Sequence, residues 1–243
     1  MAKGTILLDQ DTLQSFCESF YGYGEADAPH WFVSMEEGGG TSEEEIATRI
    51  GTWVSRGRRE IEDLNEYHHA ININKWFSAH PPLQKTWYAT VRMLLILGGH
   101  HPSTDLARHF QRDHLARHGG NNRLSPLFPL PSRSLDDWNY AAGVDGAAFG
   151  DRASYRSHLE NVRVNHLAAG IIRARPRTVV FYGQSYGEYW RKIAAVDFQR
   201  NVDGIELAAN TYTQFVICNH PATQGIANEY FDAIGRSLAA DCN

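Results

Sequence analysis

HWFVSMEEGGGTSEEEIATRIGTWV, residues 30–54, carries the reading of the fold. HWFVS is a short apolar run that reads as a buried strand, and EEGGG reads as a tight loop. TSEEE at 41–45 is a helix start, with a hydroxyl N-cap and then acids in the first turn, where the positive end of the helix dipole favours them. Ile46, Ile50 and Trp53 follow on one helical face. Strand, glycine turn and helix make one α/β unit, and the alternation continues outward. Upstream, Leu13, Phe16, Cys17 and Phe20 recur at helical spacing until the glycines after Tyr21. Downstream, the apolar period predicts helices from Gln84 to Leu97, from Asp105 to His118 and from Arg152 to Arg173. RTVVFYG at 177–183 and YTQFVICNHP at 212–221 read as strands, followed by helices through Trp190 and Ile193 and from Ile226 to Leu238. RLSPLFPLP at 123–131 reads as a short strand that its prolines confine to a sheet edge or the mouth of a site. Residues 55–85, with SRGRRE and the breaker Pro81-Pro82, show no clear period.

The fold expected from this order is α/β: three αβα layers around a short, mostly parallel central sheet, with residues 1–243 as one domain. Ligands of such sheets bind beyond the carboxyl ends of the strands, here SMEEGGG, FPLPS, GQSYG and NHPATQG.

Composition narrows the class. With 42% hydrophobic and 21% charged residues, the chain can bury a large core and is not disordered throughout. Cys17, Cys218 and Cys242 are too few and too scattered for a disulfide framework, a zinc knuckle or an iron-sulfur cluster. The clean apolar run from Met93 to Leu97 is far too short to span a bilayer, and MAKGTILLDQD lacks a secretory apolar region. The expectation is a soluble cytoplasmic protein. A net charge of −5 argues against broad coating of nucleic acid while leaving room for a local basic face. His114 and His118 stand four apart but have no acidic or thiolate partner at ligand spacing, so no metal or other cofactor is expected.

GQSYG at 183–187, between a strand and a helix, fits the pattern of a hydrolase nucleophile elbow, with Ser185 as nucleophile, Asp197 or Asp203 as acid and His220 as base. The chain order suits an α/β-hydrolase-type esterase. The chain after Ser185 is short for the elements such a fold needs.

Two other loops together resemble the signature segments of the uracil-DNA glycosylase superfamily. FYGYGEADAPHWFVSMEEGGG at 20–40 resembles the segment in which a G-x-G, an alanine and a hydrophobic strand lead into a catalytic loop of the type GQDPY, GINPG or GEAPG. Ser34, Met35, Glu36, Glu37 and Gly38 fill the five loop positions, and His220-Pro221-Ala222 fills the late HPS position. RTVVFYG and LSPLFPLP look like the family's penultimate strand and the strand edge that frames the base.

The resemblance implies a uracil-DNA glycosylase-like fold and a monofunctional DNA glycosylase. Breaking an N-glycosidic bond builds positive charge on the sugar and negative charge on the departing base, so a carboxylate beside one and a donor beside the other lower the barrier together. Glu36 would stabilise the oxocarbenium or orient the water, and His220 would donate to O2 of the leaving base. Met35, Glu37, Gly38, Ser125, Phe128 and Asn219 would contact the base, Phe128 by stacking on it. Gly38 stands where uracil-only enzymes carry tyrosine, which predicts an open C5 side suited to a 5-substituted or deaminated pyrimidine, removed in base-excision repair or in defence against modified foreign DNA. Ser125 and Pro126 stand where the family often reads the base with asparagine.

Arg56, Arg58, Arg59, Arg123 and Arg133 would meet phosphates, and Gln224 would enter the groove. The expected partner is DNA, single- or double-stranded, bound by a monomer. Lys3, Lys75, Lys85 and Lys192 lie outside the loops, which excludes Schiff-base chemistry from the expectation. Plainer roles stand beside these: Glu36 as a cap on the helix from Thr41, His220 packed on Pro221, the glycines as turns, Phe128 in the core. A noncatalytic DNA- or nucleotide-binding module on the same fold is the remaining alternative.

Overall fold

The computed structural model describes residues 9–132, 138–140, 147–201 and 204–240; Lys3, Arg133, Asp203 and Cys242 lie outside them. In chain order the elements are α1 (Gln10–Ser19), β1 (Tyr23–Gly24), β2 (His30–Glu36), α2 (Glu43–Ser55), α3 (Leu64–Ala70), α4 (Lys85–Leu97), α5 (Thr104–Asp113) and β3 (Asn122–Phe128). Then follow α6 (Arg152–Ala174), β4 (Thr178–Tyr182), α7 (Gly187–Ala194), β5 (Gln199–Arg200), β6 (Glu206–Ala209), β7 (Gln214–Cys218) and α8 (Asn228–Ala240).

The fold is α/β with a mixed seven-stranded sheet in the order β1-β3-β2-β4-β7-β6-β5. The central β3, β2, β4 and β7 run parallel, while β1, β6 and β5 pair antiparallel at the two flanks. Sequence periodicity missed the β5–β6 hairpin, because strands of two and four residues are too short to show alternation. β3 lies one strand in from the edge; two-residue β1 is all that covers it. That docking depends on Gly22, whose φ is +104° and where a Cβ would sit 2.0 Å from the carbonyl oxygen of Leu124.

Alternate residues of the central strands face two helical layers. Trp31 points to α6, where Gly170 leaves room for its ring. Phe32 points the other way and stacks with Tyr182, whose hydroxyl meets Thr90 of α4 at 2.7 Å. Phe181 stacks on Trp190 of α7, and Gly235 of α8 lies against Met93 and Ile96 of α4. Trp31, Trp53 and Trp190 are fully buried, and burial of such rings drives folding at roughly 25 cal/mol per Å² of apolar surface.

The start of α2 forms as its sequence predicts, with Ser42 as the N-cap: its hydroxyl accepts from the Glu45 amide, and the Glu45 carboxylate takes the Thr41 amide at 2.9 Å. Glu36 has no part in that cap. α5 ends at Asp113, so His114 and His118 do not share a helical turn.

The fully buried Arg163 of α6 fastens the first helix to the sheet. It donates to the carbonyls of Cys17 in the last turn of α1 and of Phe20, its C-cap, and to those of Pro126 and Leu127 in β3, with its guanidinium 3.7 Å from the Tyr21 ring centroid. Among the described residues no helix is long and apolar enough to cross a membrane.

Candidate active site

β2, β4 and β7 are parallel, so their carboxyl ends point the same way, and a cavity of about 1290 Å³ opens there. Met35, Glu36, Glu37 and Gly38 reach it from the end of β2, Gly183 to Tyr186 from the turn after β4, and Asn219 and His220 from the end of β7. The carboxylates and the imidazole, from loops almost two hundred residues apart, therefore line one cavity. β2 and β7 are separated by one strand, which puts their ends about 10 Å apart. Phe32, Trp76, Trp87, Tyr182 and Tyr186 supply aromatic walls.

His220 is oriented by its own turn. Its Nδ1 accepts from the Ala222 amide at 3.1 Å, so in the neutral ring the proton lies on Nε2, which has no partner among the described residues. Burial, helped by Lys85, holds its pKa below the usual histidine value and keeps the ring neutral.

The two glutamates have different surroundings. Glu36 is held by Arg156, whose Nη2 and Nε lie 2.6 and 3.1 Å from Oε1, and by Arg152 at Oε2. Both oxygens are engaged. Glu37 gives Oε1 to the Tyr23 hydroxyl at 2.6 Å and to Arg49 Nη1 at 2.9 Å, leaving Oε2 without a partner among the described residues. Burial raises its pKa against the pull of Arg49.

The glycines separate into two kinds. Gly39 and Gly40 have φ of +120° and +69° and are backbone turns, whereas a Cβ at Gly38 would meet nothing within 4 Å. Gly38 lines the cavity with free space beside its Cα.

Several expected contacts fall elsewhere. Phe128 is fully buried and packs on Tyr155 and Tyr189, because the inward face of β3 joins the α6 layer; it cannot stack on a base. Arg123 is buried with its guanidinium 4.1 Å from the Trp31 ring centroid, and it donates to Ser125 Oγ at 2.7 Å. Ser125 borders the cavity, but its hydroxyl donates to the Tyr21 carbonyl and so faces the interior.

Arg56, Arg58 and Arg59 follow the C-terminal end of α2, which reaches the cavity through Glu45 and Arg49, and none of the three lines it. There Arg56 pairs with Glu62 and Glu66, Arg59 lies near Glu62, and Arg58 bonds Ser15. Gln224 is exposed beyond Thr223 and does not line the cavity. Asn219 does line it, with its amide nitrogen 3.3 Å from the Tyr230 hydroxyl. Lys75, expected outside the loops, reaches the cavity because the 3₁₀ turn Asn74–Phe77 folds back, and its Nζ lies 4.6 Å from the Trp76 ring centroid.

The sequence reading missed the Arg152 and Arg156 clamp, and a signal for it existed. Two arginines four apart in the first turns of a helix share a face and oppose the helix dipole, which calls for a carboxylate partner. His68, Trp87 and Tyr182 gave no comparable signal, since aromatic residues at helix and strand spacing read as core.

The turn at Ser185 has no elbow geometry. Ser185 is exposed on the 3₁₀ turn Gln184–Tyr186, is not among the residues with positive φ, and has no hydrogen bond to His220. Asp197 is exposed and outside the cavity. No protein-family model matches the chain, and no curated protein matches it.

Proposed function

We propose that the chain is a monofunctional DNA glycosylase, hydrolysing the N-glycosidic bond of a flipped, 5-substituted or deaminated pyrimidine. The observation that carries this reading is the shared cavity of the β2 carboxylates and the His220 imidazole, two strand spacings apart. A nucleoside lying across the strand ends fits between them. The Nε2 proton of neutral His220 then donates to O2 as negative charge develops on the base, while Glu36 faces the sugar as it gains positive charge. Tyr182 and Phe32 supply an aromatic wall beside the base. Lys75, Lys85 and the N-terminal turn of α4 supply positive potential for phosphate beside the cavity, in place of the arginines that follow α2.

A second reading, a noncatalytic module that binds a flipped base, is favoured by the double arginine clamp on Glu36, which offsets the charge an oxocarbenium would use. One assay separates the two. Oligonucleotides bearing uracil, mismatched thymine or 5-modified cytosine, single- and double-stranded, are incubated with the protein and cleaved with alkali. Strand breaks that fall about 100-fold with Glu36→Gln and with His220→Ala support the glycosylase. Binding with no strand break for any base supports the module.

A further inference from the structure

The floor of the cavity carries a charge imbalance that the proposed reaction does not use. Arg49 is the one guanidinium between two carboxylates, with Nη1 2.9 Å from Glu37 and Nε 3.1 Å from Glu45. The three groups together lack one positive charge. Beside them is His68, 4% exposed, whose Nδ1 donates to the Leu64 carbonyl at 2.8 Å. In the neutral ring this leaves Nε2 as a pure acceptor, and it has no partner among the described residues. Burial holds the His68 pKa down at about 3, so the ring stays an acceptor at neutral pH.

Glu37 Oε2 and His68 Nε2 are thus two unused acceptors in one cavity, joined through Tyr23, which bonds Glu37 and lies 5.7 Å from the His68 ring. Trp87 stands edge-on to His68 at 5.4 Å and lines the same cavity. A carboxylate in excess, a locked imidazole acceptor and aromatic faces together suit one ligand chemistry, an alkylammonium. A neutral substituent would leave the negative excess of these three groups unmatched by the ligand, and an anion would add to it.

We propose that the Glu37–His68 end of the cavity binds a primary ammonium group carried on the substrate's base, so that the preferred ligand is an aminoalkyl-substituted pyrimidine nucleoside unit. The pyrimidine and its sugar rest on the glycosylase reading; the ammonium subsite rests on the charge count and the two acceptors. The ammonium would donate to Glu37 Oε2 and His68 Nε2, bonds of the charge-assisted kind, and lie against the ring of Trp87.

The test compares 5-aminomethyl-2′-deoxyuridine with its near-isostere 5-ethyl-2′-deoxyuridine by calorimetry on the wild-type protein, so that its outcome does not depend on a variant that fails to fold. The amine is expected to bind about tenfold tighter or more. Glu37→Gln and His68→Phe, checked for folding by circular dichroism, are each expected to cut that preference to about threefold or less. Equal binding of the two nucleosides, binding of neither, or a preference that survives both variants overturns the subsite. Alkali-revealed release of 5-ethyluracil from an oligonucleotide reports separately on the glycosylase, so cleavage can persist when the amine preference fails, and the preference can persist without cleavage.

Discussion

The amide of Ala222 donates to Nδ1 of His220 across 3.1 Å, and this bond decides which imidazole nitrogen carries the proton. Ala222→Pro removes the donor and leaves the ring free to change tautomer. A lost hydrogen bond of about 1.4 kcal/mol corresponds to a roughly tenfold fall in base release. Single-turnover rates on a cleavable oligonucleotide check it; an unchanged rate would show that the tautomer is held by something else.

The clamp on Glu36 predicts an asymmetry between its partners. Arg156→Ala leaves Arg152 on the carboxylate, whereas Glu36→Ala leaves two guanidinium groups facing each other at 12% and 18% side-chain exposure. Removing the carboxylate that two largely buried guanidinium groups share costs about 3 kcal/mol, reduced here by residual solvent access and by their other partners, such as Ser132 for Arg152. Urea unfolding is therefore expected to show Glu36→Ala as the less stable of the two.

Phe128 separates packing from recognition. Phe128→Ala deletes a ring buried between Tyr155 and Tyr189 and is expected to cost about 3–5 kcal/mol of stability. Nucleoside affinity below the melting transition should not change. A selective loss of affinity with intact stability would return Phe128 to the binding site.

Acid should weaken the fold through two histidines. Burial holds His68 down at about 3 and His30 at about 4. For a histidine lowered in this way the unfolded chain takes up the proton first, so no stability is lost above the unfolded value near 6.5. It then falls as pH drops from there toward the folded value. His68 alone contributes a loss of about 2 kcal/mol between pH 6.5 and 5. Urea midpoints in that range should fall less steeply for His68→Gln.

Salt dependence locates the phosphate contacts. Lys75→Ala is expected to reduce the slope of log affinity for DNA against log salt by about 1, while Arg59→Ala at the far end of α2 leaves it unchanged. The reverse result would move the nucleic-acid face to the C-terminal end of α2.

Much of the fold was legible because the decisive elements are local. Ser42 and Glu45 announce α2, and the β-branched run Thr178–Tyr182 announces a central strand. Glu36 and His220 could be placed at one end of the sheet because parallel strands end together. What stayed hidden is set by tertiary packing: nothing local tells that Arg123 lies under Trp31 while Lys75 faces a cavity, since a cation's burial depends on what folds over it. Likewise Glu36 and Glu37 look equivalent as letters, and only Arg152, Arg156, Tyr23 and Arg49 distinguish them.

Arg163 gathers four carbonyls, two from the residues that close α1 and two from the proline-bearing strand that lacks a full-length neighbour on its outer side. The opening helix is thereby latched to the middle of the molecule and does not fray as an end. Its amide protons should exchange with deuterium at the pace of the central strands, and a protease would find no early cut there until the whole fold opens.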